Sequence, residues 1–299
     1  MGRIGRFFAG AARLLTTARA TGACDLCGRW IGEADGPLCA RCAARMPWWR
    51  RADGCPRCGM PADPGLPGSQ AAWGAGRSSA APCPRCLVEG SPLHLCLAVT
   101  RYAEPLPWLL PAFKNPKGPL GPRATVWRVV DALVDALVDR LRSEHEVLPD
   151  RVASIPLHPT RLRRRGFNHA DLIARRIAAR LGRPFDPALL ARIRDTGSQA
   201  GLAAPERRAN LRGAFRARTL QPASGPRRIF LVDDVLTTGS TLDAAANALL
   251  EAGADEVWAL VLSATVAGPA RRSHRTPVGG EVVREPTPEA SGPDSRRVC

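Results

Sequence analysis

Residues Ile229–Ala254 read IFLVDDVLTTGSTLDAAANALLEAGA: four apolar residues, two adjacent aspartates, a hydroxyl-rich run and then a helical pattern that stops at Gly253. The apolar run from Ile229 to Val232 reads as a buried strand, and Ser240 to Ala252 as a helix. Between them, Thr237, Thr238, Gly239, Ser240 and Thr241 hold almost nothing apolar. The helix that follows has unpaired backbone N–H groups at its start, and these favour an anion. Gly239 lets the backbone come close, and the four hydroxyls add donors, so the loop reads as a cradle for one phosphate. No lysine follows the glycine, which sets it apart from the nucleotide-triphosphate loop GxxxxGK[ST] and weakens the alternative of a Walker-B-like metal site.

Asp233 and Asp234 would repel a phosphate unless something separated them from it. A ribose ring does so, because its 2′ and 3′ hydroxyls donate to carboxylates while the 5′-phosphate reaches the loop. A solvated strand end followed by an ordinary cap would explain any one of these residues taken singly. A sugar phosphate explains the whole run.

The surrounding chain alternates. Leu95–Thr100 reads as a strand, followed by a short helix ending near Phe113 and Lys114. Apolar residues recur at helical spacing from Val126 to Leu141, within a helix over residues 123–142. RVASIPL is a strand, HADLIARRIAARL a helix ending at Gly182, RRIFLVDD a strand, and DEVWALVLSAT a strand after the helix at Ser240. Strands alternating with helices predict an α/β fold, a mostly parallel sheet with helices on both faces. Ligands of such sheets sit beyond the carboxyl ends of the strands, where Asp233 and Asp234 fall.

Eight of the ten cysteines form four Cys-x-x-Cys knuckles: Cys24/Cys27, Cys39/Cys42, Cys55/Cys58 and Cys83/Cys86. Such spacing brings two sulfurs to one side of a turn, as a tetrahedral zinc requires, and four thiolates leave no open position for water. Two structural zinc sites follow. Sequential grouping is the simplest, and spacing leaves an interleaved grouping open. Adjacent knuckle cysteines make poor disulfides, and the chain carries no export signal. Cys96 and Cys299 stand outside the pattern as free thiols.

The formal charge of +16 suits phosphate-bearing partners, although an arginine-rich composition has the same effect. No apolar run approaches the length of a membrane span. Residues 1–22 read as an amphipathic segment able to touch a membrane surface or a neighbouring domain, since arginines break every apolar run before a signal core forms. These features place the chain in the cytoplasm. Residues 61–82 read as a flexible insertion within a ribbon domain over 23–92, the α/β domain covers 93–267, and the polar tail 268–299 reads as disordered.

VDDVLTTGSTL resembles the phosphoribosyl pyrophosphate (PRPP) motif of type I phosphoribosyltransferases. More narrowly, four cysteine knuckles followed by IPLHPTRLRRRGFNHADLIA, SQAGLAAPERRANLRGAF and this loop resemble the ComF family, ComFC-like and GntX-like, over about residues 24 to 266. The resemblance implies a double zinc ribbon joined to a phosphoribosyltransferase-like domain, with PRPP and Mg2+ as ligands and a link to DNA uptake. It places the ribose hydroxyls on Asp233 and Asp234 and the 5′-phosphate on Thr237 to Thr241. Arg164, Arg165 and Asn168 fall in a loop near the pyrophosphate; Gln199, Arg207 and Asn210 match a loop over the site; and Lys114 is a further ligand contact. Two departures stand out: His169 replaces a usual glutamine, and FKNPKG replaces an LKYRG-type stretch.

One or two of the arginines at 161 and 163–165 would neutralise a pyrophosphate leaving group, with magnesium sharing that charge, and the others would form a solvated face. They equally suit a nucleic-acid backbone. His158 and His169 read as structural or surface residues. Two function classes stay open: a PRPP-dependent transferase, and a non-catalytic single-stranded DNA-binding protein working with DNA-uptake proteins.

Overall fold

In a computed structural model of the chain, the described residues are 22–31, 36–50, 53–60, 82–115, 124–196, 204–221 and 227–265. The expected amphipathic N-terminal segment, nearly all of the insertion at 61–82, the tail from 268 and Gln199 lie outside them.

Strands β1 (Leu95–Arg101), β2 (Arg151–Ser154), β5 (Arg228–Leu236) and β6 (Glu256–Ala264) form a parallel sheet in the order β1-β6-β5-β2. Side chains along its central strands alternate between two cores, as a sheet covered on both faces requires. Phe230, Val232, Trp258, Leu260 and Leu262 face one core together with helices α3 (Leu106–Lys114), α4 (Ala124–Glu144) and α6 (His169–Leu181). Ile229, Leu231, Val257, Ala259 and Val261 face the other, beneath helix α8 (Ser240–Glu251). Helices α4 and α6 are joined on their outer sides by Arg176 to Asp131 and Arg180 to Asp135.

The remaining elements are short. They comprise α1 (Ala40–Ala44), α2 (Pro84–Val88), α5 (Pro159–Arg165), α7 (Ala204–Leu211) and the antiparallel pair β3 (Leu190–Arg192) and β4 (Phe215–Ala217). This pair packs beside α8 through Leu190 and Phe215 and is absent from the sequence reading. Helix α4 ends two residues later than the spacing predicts. RVASIPL is strand only through Ser154, because Pro156 has no N–H to give a ladder; the last donor is Ile155 N, 2.9 Å from Val232 O. The acids do not end their strand: β5 continues through Val235 and Leu236, which pair with Ser263 and Ala264.

The cysteine-bearing segments lie against β1. Trp49 N donates to Val99 O at 2.9 Å, Arg101 N to Pro47 O at 2.7 Å and Cys96 N to Pro56 O at 3.0 Å. Arg140 of α4, only 3% exposed, fastens this seam by donating to Ala98 O at 2.7 Å and Trp49 O at 3.3 Å. Arg128 on the same helix pairs with Asp25 of the first knuckle.

Candidate functional site

The site gathers where β5 and β2 point their carboxyl ends. Asp234 is 3% exposed and Asp233 is half-buried, because successive strand residues face opposite sides. Asp234 Oδ1 lies 3.1 Å from His169 Nε2, and its Oδ2 lies 2.5 Å from Lys114 Nζ. Arg165 reaches His169 Nδ1 at 2.9 Å from the other side. A guanidinium N–H can only donate, so Nδ1 accepts and the imidazole presents its Nε2 proton to Asp234. Asp233 Oδ1 accepts from the Asp234 backbone N–H at 2.9 Å.

The two acids are driven apart electrostatically. Burial and the neighbouring Asp234 charge push the Asp233 carboxyl well above the usual carboxylate range, against the pull of Lys114. Burial would raise Asp234 as well, but His169 and Lys114 together outweigh it and hold Asp234 below that range. Lys114 responds in kind: burial favours its neutral form, and Asp234 reverses this and holds the ammonium above its ordinary value. The pair therefore offers one carboxylate fixed by an ammonium and an imidazole N–H, and one that takes up a proton readily.

Sequence dictates how these groups meet. Gly166 ends α5 in the left-handed region at φ 89°, which turns the chain sharply into α6. Asn168 caps α6, its Oδ1 accepting from Ala170 N at 3.2 Å, while its Nδ2 donates to Ile155 O at 3.0 Å and to Asp171 Oδ1 at 2.6 Å. Ser154 Oγ donates to the same Asp171 oxygen at 2.5 Å. Asn168, expected among the ligand contacts, thus has its side chain committed to fixing α6 against β2. His169 is then held toward Asp234 by the first turn of that helix.

Thr237, Thr238 and Gly239 join β5 to α8. Gly239 is the cap residue at φ 77°, and no side chain caps the helix. The obvious candidates are occupied with each other: Thr238 Oγ1 and Ser240 Oγ lie 3.0 Å apart. The first N–H groups of α8 thus have no side-chain cap among the described residues. Carboxylates that accept from hydroxyls thus stand beside amides and hydroxyls that donate to an anion.

Of the other expected residues, Arg164 is exposed and has no side-chain partner among the described residues. Asn210 lies in α7 and donates to Thr196 O at 2.9 Å; Arg207 is in the same helix, its side chain outside the description. His169 was read as structural or surface, and its replacement of the usual glutamine was the one available signal.

The cysteines fall into two sets of four, Cys24/Cys27/Cys39/Cys42 and Cys55/Cys58/Cys83/Cys86, with all sulfurs of a set within 4.8 Å of one another. This is the sequential grouping. Tetrahedral zinc with bonds of about 2.3 Å puts sulfurs about 3.8 Å apart. Cys27 and Cys39 sulfurs lie 3.8 Å apart, and those of Cys58 and Cys83 3.7 Å. Backbone N–H groups of Cys39 and Cys83 point at Cys24 and Cys55 sulfurs at 3.3 and 3.2 Å, as thiolates require. None of these cysteines, nor Cys96, is in a disulfide, and the two sets are compatible with zinc. Cys299 lies outside the described residues.

The second set touches the loop. Met60 sulfur lies 3.8 Å from where a Cβ on Gly239 would stand, and Arg85 of α2 pairs with Asp243 of α8 at 3.0 Å.

Comparison with known proteins agrees with this architecture. Residues 164–283 match the family model for a phosphoribosyl transferase domain. The chain is 35% identical over 244 residues to the DNA utilization protein YhgH of Salmonella typhi, covering 80% of this chain and 96% of that protein. It is 33% identical over 181 residues to Competence protein F of Haemophilus influenzae, covering 60% of this chain and 77% of the relative. Adenine phosphoribosyltransferase from Leishmania tarentolae is a solved structural neighbour at 18% identity and TM-score 0.32, with 56% of this chain and 91% of that one covered. The sheet is that of a phosphoribosyltransferase-like fold, and with 35% identity across nearly the whole of a relative, the chain belongs to the ComF family.

Proposed function

We propose that the chain binds PRPP with Mg2+ and transfers its phosphoribosyl group to an acceptor in a role serving DNA uptake or nucleotide handling. The observation that carries this reading is the uncapped N-terminus of α8 directly after the acidic pair: one short loop presents hydroxyl acceptors and anion donors side by side. Asp233 and Asp234 take the ribose hydroxyls, Thr237 to Thr241 and the α8 amides take the 5′-phosphate, and Arg164 and Arg165 face the diphosphate. Lys114 yields its place beside Asp234 to the sugar. Asp233 and Asp234 would be the carboxylates available to magnesium bound with the diphosphate, which would supply positive charge to the leaving group. The eight cysteines hold two structural zinc ions, so elemental analysis should return about two per chain.

The test is calorimetry with PRPP and ribose 5-phosphate. Binding should be lost when Asp233→Asn and Asp234→Asn are combined; unchanged affinity in that variant would sink the reading. Transformation frequency in a deletion strain reports on the cellular role.

A second reading, single-strand binding without turnover, is favoured by one surface. Arg29, Arg41 and Arg45, three arginines against the single acid Glu104, line a cavity of about 400 Å³ beside the first cysteine set, and Trp30, next to Arg29 in the chain, is 78% exposed. Arginines and an exposed indole suit phosphates and bases. Such a complex must weaken steeply as salt rises.

A further inference from the structure

The two cysteine sets differ in how far they are shielded. In the second, Cys55, Cys58 and Cys86 are buried and Cys83 is half-buried, in a small cluster with Met60. In the first, Cys24 and Cys39 are buried, Cys42 is half-buried and Cys27 is exposed. Backbone N–H groups sort the first set in the same way: Cys39 N donates to Cys24 Sγ at 3.3 Å, and Cys42 N to Cys39 Sγ at 3.5 Å. Cys27 and Cys42 are the two that line the cavity of about 400 Å³, together with Arg29, Arg41 and Arg45. They come from different knuckles, and all sulfurs of the set lie within 4.8 Å of one another, so small side-chain shifts bring this pair into bonding range.

The same cavity is lined by Glu104 and Pro105, the residues that lead into α3. Cys24, Ile31, Leu38 and Trp48 share one hydrophobic core with Leu106, Leu109 and Phe113 of α3. Asp25, beside Cys24, pairs with Arg128 of α4. The first ribbon is thus part of the packing that holds α3, whose last residue, Lys114, reaches Asp234.

We propose that Cys27 and Cys42 form an oxidation site, open to a hydroperoxide through this cavity, whose closure into a disulfide empties the first metal site and loosens α3 while the second set is spared. The Cys27 thiolate attacks one peroxide oxygen, the O–O bond breaks, and the other oxygen leaves as hydroxide with a guanidinium at hand to donate to it. The Cys42 thiolate then attacks the sulfur of the resulting sulfenic acid; an S–S bond forms, the S–O bond breaks and a second hydroxide leaves. Two thiolates give up two electrons to the peroxide, and two protons from solvent convert the hydroxides to water. Cys24 and Cys39 alone do not complete the four-thiolate set that zinc requires. The inference rests on the zinc reading of the cysteines.

The experiment treats the full zinc-loaded chain with hydrogen peroxide. Zinc release is followed with a chromogenic chelator, bound zinc by native mass spectrometry and bridges by peptide mapping. One zinc should leave about tenfold faster than the other, with Cys27 to Cys42 the first bridge formed. Hydrogen exchange over residues 106–114 should rise with the bridge and return once dithiothreitol and zinc are supplied. Cys27→His keeps a zinc ligand but removes the attacking thiolate, so this variant should hold both ions under the same treatment. Loss of both ions at one rate, a first bridge between any other cysteines, or a Cys27→His protein that loses zinc as fast as wild type would overturn the site. Should that variant fail to fold, the wild-type bridge map decides alone. Unchanged exchange across α3 after the bridge has formed would overturn the link to that helix. A chain that purifies without zinc defeats the metal reading itself, while the order of bridge formation under peroxide still decides between the two sets.

Discussion

Lys114 Nζ lies 2.5 Å from Asp234 Oδ2, tying the last residue of α3 to the carboxyl end of β5. In the ligand-free protein this ammonium stands where a sugar hydroxyl is proposed to donate. Removing one partner of a buried pair leaves the other charge stranded. Lys114 is about a third exposed, so Lys114→Met should cost less than a fully buried pair would, about 2 kcal/mol in urea unfolding, once solvent screening is allowed for.

The two aspartates should respond to amidation in opposite directions. Asp233, raised by burial and by Asp234, keeps a proton in the folded state at pH values where the unfolded chain has lost it. Its ionisation therefore costs the fold nothing below the unfolded carboxylate value of about 4, and that cost grows as pH rises from there to the raised value. Asp233→Asn should raise the melting temperature at pH 7 and weaken this pH dependence.

Asp234 is the reverse case. Held down by His169 and Lys114, it stabilises the fold above the unfolded carboxylate value of about 4 and loses that contribution as pH falls below it. Asp234→Asn should cost about 2 kcal/mol at pH 7, measured by denaturant unfolding, because the partly buried Lys114 ammonium loses its counter-ion. Equal melting temperatures for the two single variants would contradict the division of roles.

Gly239 sits at φ 77°, and a Cβ there would meet Leu236 at 3.7 Å and Met60 at 3.8 Å, ordinary contacts. Space is available and the backbone angle is the obstacle. Gly239→Ala should cost about 1–2 kcal/mol or shift the loop, and ribose 5-phosphate affinity should fall with little change in circular dichroism.

Metal removal should reach the loop as well. Arg85, in the second cysteine set, is held above its ordinary value by Asp243 despite partial burial, and that ion pair fixes the first turn of α8. Treating the protein with a chelator under reducing conditions should lower ribose 5-phosphate affinity about tenfold. Arg85→Ala, which keeps all eight thiolates, should reproduce part of the loss.

What could be read from the sequence follows from how far each feature depends on its neighbours in the chain. Ile229 to Val232 and Val257 to Leu262 are continuous apolar runs, and the sheet was legible from them. The knuckles were legible for the same reason, whereas which knuckles share a site depends on folding and emerges only from the sulfur positions. Strands β3 and β4 have three residues each, too few for a period to register. His169 meets a carboxylate 65 residues away. Its place in the candidate site comes from tertiary placement.

Residues 47–49 occupy the open side of β1 through Trp49, Arg101 and the Trp48–Thr100 bridge. An uncovered border strand invites pairing with other molecules. The cysteine-rich prefix consequently acts as a fence for the sheet, and a fragment that starts at the strand itself would be exposed to fibrous self-association.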